Sequence, residues 1–237
     1  MIINFIKRNL NFRKVGRYLV KNSTGIFPSF VYKSNNVVNE RLFNITILAI
    51  QKAQKINLSD FQTKFSNEFP VNDWPGEHYR LLAAIVDVIK PKLVIEIGTY
   101  TGQSALIMKK FLPSDGRIIT YDVIPWNDFS DTGLQKFDFD DQFEQRIKDL
   151  TIKEDRQSEI NIFKQADLIF VDAAKDGKME KIFCNFFDGV QFEKSPIVIF
   201  DDIKMLNMIK IWNNIEHPKI DLTSFGHWSG TGVVEWI

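Results

Sequence analysis

The chain has 237 residues, of which 44% are hydrophobic and 25% are charged, and its 30 basic residues balance its 30 acidic ones. This length suits one large α/β domain plus an appendage, and the zero net charge argues against a dedicated nucleic-acid binder. The one cysteine, Cys184, excludes a disulfide framework and a cysteine zinc cluster, and we expect it to pack in the core. Because the sequence has no apolar run of about 18 residues and no signal-peptide core, we expect a cytoplasmic protein without stable membrane anchoring.

The N-terminal segment is basic. The first 39 residues contain seven lysines and arginines and no acid, and residues 1–20 can form a helix with Ile3, Ile6 and Leu10 roughly on one side. A membrane-surface helix or an organelle presequence has this pattern, and so does a helix that packs on its own domain or on a second subunit. We favour packing, and expect residues 1–75 to be a mostly helical extension that covers a cleft or forms a homodimer interface.

Helical and strand patterns alternate from residue 77 onward. Strands that alternate with helices predict a doubly wound, mostly parallel sheet. The connection between the last two strands is too short for a crossover, which predicts an antiparallel hairpin. Residues 122–144 are acidic and irregular, and we expect a long loop that leads into a helix. The predicted helices are 77–89, 104–112, 178–190 and 205–215, and the predicted strands are 92–97, 117–122, 166–172, 196–202, 219–225 and 232–237.

Acidic residues end four of the predicted strands. They are Glu96, Asp122, Asp172, and the pair Asp201 and Asp202. One acid in such a place is commonly a helix cap. The carboxyl ends of parallel strands meet at one edge, however, and ligands of such sheets bind beyond that edge. Acids at four strand ends are harder to explain as caps, so this edge is the candidate functional site.

A glycine loop follows the first of these strands. Gly98 and Gly102 are separated by three residues and precede a helix. We expect them to let the backbone approach a bulky ligand and to expose N–H groups at the helix start. Asp122 lies 20 residues after Gly102, which suits an acid that accepts hydrogen bonds from ribose hydroxyls. The dinucleotide pattern G-x-G-x-x-G and the phosphate-loop pattern are absent, so the loop predicts another nucleoside-bearing cofactor.

The stretch "EIGTYTGQSALIM", residues 96–108, resembles the E-x-G-x-x-x-G-x-S motif of the class I S-adenosylmethionine-dependent methyltransferases. More narrowly, residues 77–237 resemble the small-molecule O-methyltransferases of the catechol and caffeoyl-CoA type. The resemblance implies a Rossmann-like domain over 76–237, with a seven-stranded sheet whose last strand is antiparallel. It also implies that the cofactor is S-adenosylmethionine. The residues that it assigns to this cofactor are Glu96, Gly98, Thr99, Tyr100, Gly102, Ser104, Asp122 and Asp149.

Within that assignment, Glu96 and the two glycines line the methionine end of the cofactor, Ser104 holds its carboxylate and Asp122 its ribose. Asp149 is the candidate for the adenine contact. Ser104 equally suits an ordinary position at the start of a helix.

A second stretch, "FVDAAKDGK", resembles the D-A-x-K segment of the same family. The resemblance implies that Asp172 binds a divalent cation and that Lys175 serves as a base. The family's later Asp-Asn metal pair corresponds to Asp201 and Asp202, so an aspartate stands where the family has asparagine.

Three carboxylates at adjacent strand ends would repel one another, and they form an oxygen-only site that suits Mg²⁺ best, with Ca²⁺ or Mn²⁺ as alternatives. The ordinary alternatives are that Asp201 and Asp202 cap the next helix and that Lys175 is a solvated lysine.

The walls of the expected pocket are less specific in sequence. His227 and Trp228 lie in the turn between the last two strands, and His227 is a further catalytic candidate there. A glycine-rich hairpin with a packed tryptophan explains this turn equally well. Trp74, His78 and Tyr79 precede the main domain and are candidates for a lid.

Together these features predict an enzyme that transfers a methyl group from S-adenosylmethionine to a hydroxyl of a small molecule, with assistance from the cation. Two alternatives remain open: a metal-dependent hydroxylase on the same frame, and a non-catalytic binding module. The complete acid series and Lys175 argue against the non-catalytic module.

Overall fold

The structure is a computed structural model. It describes residues 37–62, 64–65, 71–72 and 78–237 with their side chains, and residues 18–22 and 25–31 as backbone. The chain divides into two compact units, residues 1–35 and residues 36–237. Among the described residues, no helix is both long enough and apolar enough to cross a bilayer.

The first unit contains an antiparallel pair of strands. Strand β1 is Tyr18–Asn22 and strand β2 is Gly25–Val31, and Tyr18 pairs with Val31. Most of the helix predicted over residues 1–20 lies outside the described residues. For residues 18–20 the helix prediction is wrong, because these residues belong to β1. Strand β1 contains Tyr18 and Val20, and β2 contains Ile26, two phenylalanines and Val31, all of residue types that are favoured in strands.

The second unit begins with helix α1, Glu40–Ala53. The side chain of Asn39 accepts a hydrogen bond from the backbone N–H of Leu42 and so caps the helix start. Asn39 Nδ2 and a guanidinium nitrogen of Arg41 each lie 2.5 Å from the carboxylate of Glu235 in the last strand. Since Leu42 is fully buried in the core, α1 is part of the same compact unit as the sheet.

The remaining elements alternate between helix and strand, and the four helices for which bounds were predicted begin and end within about three residues of those bounds. The helices are α2 Ser59–Gln62, α3 Tyr79–Ile89, α4 Gln103–Lys110, α5 Lys153–Phe163, α6 Met179–Gly189 and α7 Met208–Asn214. The strands are β3 Leu93–Ile97, β4 Arg117–Asp122, β5 Phe143–Ile147, β6 Leu168–Val171, β7 Ile197–Asp201, β8 Lys219–Asp221 and β9 Thr231–Glu235.

These seven strands form one sheet in the order β5-β4-β3-β6-β7-β9-β8. Strands β3 to β7 run parallel to one another, and β9 runs antiparallel between β7 and β8. The doubly wound sheet and the antiparallel last strand are therefore confirmed.

The residue pattern did not predict strand β5, because this strand begins in the stretch that we expected to be a loop leading into a helix. Only the family resemblance implied a strand there, just before Asp149. It is an edge strand in which only Phe143 is buried, so it lacks the apolar run of a central strand. Three-residue 3₁₀ turns at Trp126–Asp128 and Lys136–Asp138 occupy the connection before it.

The sheet is covered on both faces, as its apolar strands require. Alternate residues of each strand point to opposite faces, so Val94 of β3 belongs to the core cluster that includes α1, α3 and α4. Its neighbour Ile95 belongs to the cluster on the other face, which includes residues of α5, α6 and α7. This packing leaves the carboxyl ends of β3, β4, β6 and β7 at one rigid edge.

Candidate active site

The structure brings the predicted acids to this one edge. Glu96 is the second-last residue of β3, and Asp122 is the last residue of β4. Asp172 directly follows β6, while Asp201 ends β7 and Asp202 follows it. The arrangement divides into two parts: a glycine loop with Glu96 and Asp122, and a cluster of the three later aspartates.

The two glycines of the loop are required by the chain's own packing. A Cβ on Gly98 would lie 2.0 Å from the backbone oxygen of Asp172, and Gly98 has φ +106°. A Cβ on Gly102, where φ is +79°, would lie 2.3 Å from the side chain of Leu134. The packing of the neighbouring chain therefore accounts for both glycines by itself, and the approach of a bulky ligand to this loop stays a prediction.

Glu96 lies in the core and its carboxyl is held by two hydroxyls. Ser104 Oγ donates to one oxygen at 2.5 Å, and Thr120 Oγ1 donates to the other at 2.6 Å. Burial raises the pKa of Glu96 to about 8, although both hydroxyls act in the opposite direction. Glu96 is fully buried, and the hydroxyl of Ser104 is hydrogen-bonded to it. Both residues therefore stabilise the conformation of the loop from the protein interior.

Asp122 binds the backbone of the glycine loop. One carboxylate oxygen accepts hydrogen bonds from the N–H groups of Thr99 and Tyr100 at 3.0 Å each, and the other accepts one from Ile124 at 3.1 Å. A carboxylate offers about four acceptor positions, so three are occupied here. The role of Asp122 as an acceptor for ribose stays a prediction.

The other three residues that were assigned to the cofactor lie in different environments. Thr99 is buried, with its hydroxyl 2.9 Å from that of Thr120. Tyr100 is half exposed, and its hydroxyl donates to Asp131 at 2.6 Å. Asp149 lies after β5 and accepts hydrogen bonds from both the N–H and the hydroxyl of Thr151.

The three later aspartates surround the ammonium group of Lys175. Its Nζ lies 2.6 Å from Asp172 Oδ1, 2.9 Å from Asp202 Oδ2 and 4.0 Å from Asp201 Oδ2. One oxygen from each aspartate lies within 4.8 Å of the others. The sequence-predicted cluster is thus assembled, and a lysine at its centre balances part of its charge.

The charges of this cluster shift its pKa values. Burial and the negative charge of Asp201 raise the pKa of Asp172. Burial lowers the pKa of Lys175, but the charges and hydrogen bonds of Asp172 and Asp202 outweigh it, so the net shift is upward. Lys175 is therefore held as a charged ammonium in this arrangement, which is the opposite of the lowered pKa that a lysine base requires.

Two histidines approach the cluster from the opposite side. His78 is buried, and its Nδ1 lies 3.2 Å from Asp201 Oδ1. His227 Nδ1 lies 3.2 Å from Asp202 Oδ1 and 3.8 Å from Asp201 Oδ1. Ser229 contacts both His227 Nδ1 and Asp202 through its hydroxyl. Burial would lower the pKa of His78, but Asp201 and Asp172 outweigh it and raise the pKa overall.

A cavity of about 500 Å³ connects these groups. Its walls come from the glycine loop (Tyr100, Thr101, Gln103), from the acid cluster, and from the aromatic and sulfur side chains of Phe65, Tyr79 and Met205. Its volume lies within the range of about 300–1,000 Å³ that is common for small-molecule sites.

Of the residues expected to form a wall or a lid, His78, Tyr79 and His227 line the cavity. Trp228 does not line it and is 73% exposed. Trp74 lies outside the described residues.

Sequence reasoning missed two partners of this site. Thr120 sits beside Glu96 in the β3–β4 register, and a polar residue in the buried strand "RIITYD" was a signal for it. Ser229 has no comparable signal, because it meets Asp202 only through the turn before β9. His78 was considered for a lid, yet its contact with Asp201 spans 123 residues of sequence.

The fold and the site define a Rossmann-like domain with an acid-lined pocket at the carboxyl edge of its sheet. The sequence profile of a family described as O-methyltransferase matches residues 55–188. Since this match covers more than half of the chain, the protein belongs to the O-methyltransferase family. The matched residues include Glu96, Asp122, Asp172 and Lys175, whereas Asp201, Asp202 and His227 lie beyond them.

Two solved structures share the fold. The O-methyltransferase from Bacillus cereus in complex with SAH is 17% identical, with a TM-score of 0.51 over 78% of this chain and 90% of that chain. A proposed caffeoyl-CoA O-methyltransferase from Staphylococcus aureus is also 17% identical, with a TM-score of 0.55 over 81% of this chain and 98% of that chain. At this identity, the likeness concerns the fold.

Proposed function

We propose that this protein transfers a methyl group from S-adenosylmethionine to a hydroxyl of a small molecule, with a divalent cation held by Asp172, Asp201 and Asp202. The observation that carries the proposal is the single cavity that the glycine loop and the aspartate cluster share. Membership of the O-methyltransferase family supports the reaction class. The SAH in the Bacillus cereus structure supports the choice of cofactor.

The glycine loop supports cofactor binding through its backbone. The N–H groups of Thr99 and Tyr100 point at the Asp122 carboxylate, which holds the turn in one conformation. A preorganised turn reduces the conformational cost of binding. Tyr100, Thr101 and Gln103 then present the loop to the cavity, where the transferable methyl group would face the acceptor.

The donor set of the aspartate cluster fits a hard divalent cation, because three carboxylate oxygens lie within 4.8 Å of one another. A bound cation would favour the ionised form of the acceptor hydroxyl. In the described arrangement Lys175 occupies the centre of these oxygens, so cation binding requires the ammonium group to move aside.

The protein's own residues then position the acceptor and manage its proton. Phe65, Tyr79 and Met205 provide apolar walls that exclude water from the reacting atoms. His227 borders the same cavity, and its Nδ1 is already hydrogen-bonded to Ser229, so its ring is oriented. We assign His227 as the group that accepts the hydroxyl proton, and Lys175 as the group that balances the aspartates.

The first test is a calorimetric titration of SAH into the purified chain. The second measures methyl transfer from labelled S-adenosylmethionine to a panel of catechols, hydroxycinnamoyl thioesters and sugars. Mass spectrometry locates the added methyl group. We expect micromolar SAH binding and methylation of an oxygen in at least one class. Turnover is then repeated in chelator, with and without Mg²⁺. Absence of SAH binding would refute the proposal, and undiminished turnover in chelator would refute the role of the cation.

A further inference from the structure

The two oxygens of Asp201 face different partners. Oδ2 points toward Lys175, at 4.0 Å from its Nζ. Oδ1 points toward two imidazoles, at 3.2 Å from His78 Nδ1 and 3.8 Å from His227 Nδ1. The carboxylate therefore lies between the oxygen-only cluster on one side and a group of two nitrogens and one oxygen on the other.

We propose that His78, Asp201 and His227 bind a first-row transition metal ion such as Zn²⁺, Co²⁺ or Fe²⁺, at a position separate from the oxygen-only cluster. This site lies in the cavity of the proposed function but does not depend on methyl transfer. An ion bound to His227 Nδ1 uses the acceptor nitrogen of this imidazole, so metal binding here competes with the role of proton acceptor assigned to His227 above. Two imidazoles and a carboxylate are ligands that favour such metals over Mg²⁺ and Ca²⁺, which prefer oxygen.

The geometry is close to what a metal needs. A cation about 2.1 Å from each ligand atom holds those atoms about 3.0–3.4 Å apart. The distance between His78 and Asp201 already lies in this range, at 3.2 Å. The distance between His227 and Asp201 is 3.8 Å, about 0.4 Å beyond that range, and the three ligand atoms all lie within 4.8 Å of one another. Small side-chain rotations are enough to complete the site.

Charge and burial support the same conclusion. With neutral histidines, the three aspartates and Lys175 sum to a net charge of −2, from three negative groups and one positive group. One divalent cation neutralises this total, so the ion at this site would take the place of the cation proposed for the three aspartates and would not be added to it. Since His78 and Asp201 are each only 4% exposed, the uncompensated charge would otherwise stay in a weakly solvated place. The adjoining cavity leaves room for water or a substrate oxygen as further ligands.

The test is a titration of chelator-treated protein with Co²⁺ alone, followed by visible absorption. Nitrogen ligands and low coordination give Co²⁺ much stronger absorption than an oxygen-only octahedral site. We expect saturation at one equivalent, displacement by Zn²⁺, and no displacement by excess Mg²⁺. Absence of the absorption, or its loss on addition of Mg²⁺, would overturn the proposal and leave the histidines as ion-pair partners of the aspartates.

Variants locate the metal. His78→Gln and His227→Gln should each weaken Zn²⁺ binding by more than about 100-fold, because loss of even an outer partner of a metal ligand costs about 10- to 100-fold. His217→Gln is the matched control, since this third histidine pairs with Asp188 away from the cavity. Asp172→Asn should retain the Co²⁺ spectrum.

Circular dichroism checks that each variant folds, and His227→Gln is informative even if the buried His78 variant is unstable. Unchanged Zn²⁺ affinity in folded His227→Gln would contradict the site. SAH binding is measured in parallel, so failure of the metal site is distinguishable from failure of the proposed methyl transfer.

Discussion

The backbone oxygen of Asp172 lies 2.0 Å from the place that a Cβ on Gly98 would occupy. The N–H of Asp172 also donates to the carbonyl of Ile97 at 3.0 Å. The start of the glycine loop and the first residue of the aspartate cluster are therefore packed backbone to backbone. A change in the loop must displace the cluster, which couples the two halves of the candidate site.

This contact predicts that Gly98→Ala destabilises the fold. A non-glycine residue in a strained backbone region costs about 1–3 kcal/mol, and a clash with backbone adds about 1–3 kcal/mol. We expect urea denaturation to show a loss of roughly 3 kcal/mol or more in the free energy of unfolding. Gly189→Ala is the control, because nothing lies within 4 Å of its added Cβ. Equal stability of Gly98→Ala and the native chain would contradict the packing argument.

Because the pKa of Glu96 is raised, we expect the free energy of unfolding to decrease as the pH rises. The ordinary pKa is 4.5 and the folded value is about 8. Below pH 4.5 both states hold the proton, so there is no effect. Between pH 4.5 and 8 the unfolded chain has lost the proton while the folded chain keeps it, so stability falls by about 1.4 kcal/mol per pH unit. Above pH 8 the loss levels off.

Glu96→Gln removes this titration while keeping the shape of the side chain. Relative to the native chain, the variant should gain about 3.5–4 kcal/mol in the free energy of unfolding between pH 5 and pH 8. Denaturant unfolding at several pH values measures the difference. Glu154→Gln, in the exposed first turn of α5, should leave the native slope unchanged. A native pH slope in Glu96→Gln would show that another group causes it.

Lys175→Met should destabilise the chelator-treated protein by about 1–3 kcal/mol, because it leaves Asp172 and Asp202 without their ammonium partner in a partly screened site. A divalent cation should restore much of this stability by taking the vacated position. Thermal unfolding in chelator and in Mg²⁺ gives both values. Lys178→Met, at an exposed position three residues later, is the control. No response of the Lys175 variant to any divalent ion would contradict cation binding at the aspartates.

Asp172→Asn should lower turnover far more than it weakens SAH binding. Its side chain belongs to the aspartate cluster, whereas the loop conformation depends on Asp122 and Glu96. We expect a decrease in kcat of at least about 100-fold with less than about a tenfold change in Kd for SAH. Calorimetry and single-turnover assays separate the two quantities. Equal losses in both would place Asp172 in the cofactor site instead.

The alternation of apolar strands and helices was sufficient to predict most of the fold. Central strands such as β3 are buried on both faces, so their sequences are continuous apolar runs that can be recognised locally. The residue pattern missed strand β5 because an edge strand buries few side chains, and Phe143 is the only buried residue of this strand. The strands of the first unit were missed for residues 18–20 because amphipathic helix spacing was given more weight than strand propensity.

Local sequence patterns are sufficient to predict which acids reach the functional edge, because parallel strands carry their carboxyl ends to the same side of a sheet. The contacts that those acids make become visible only in the folded chain. The backbone of Asp172 occupies the space beside Gly98, and the ammonium group of Lys175 lies among the aspartates. His78 contacts Asp201, which is 123 residues away in sequence. These contacts join segments that are distant in sequence, and their distances depend on how helices and loops pack against the sheet, which no local pattern encodes.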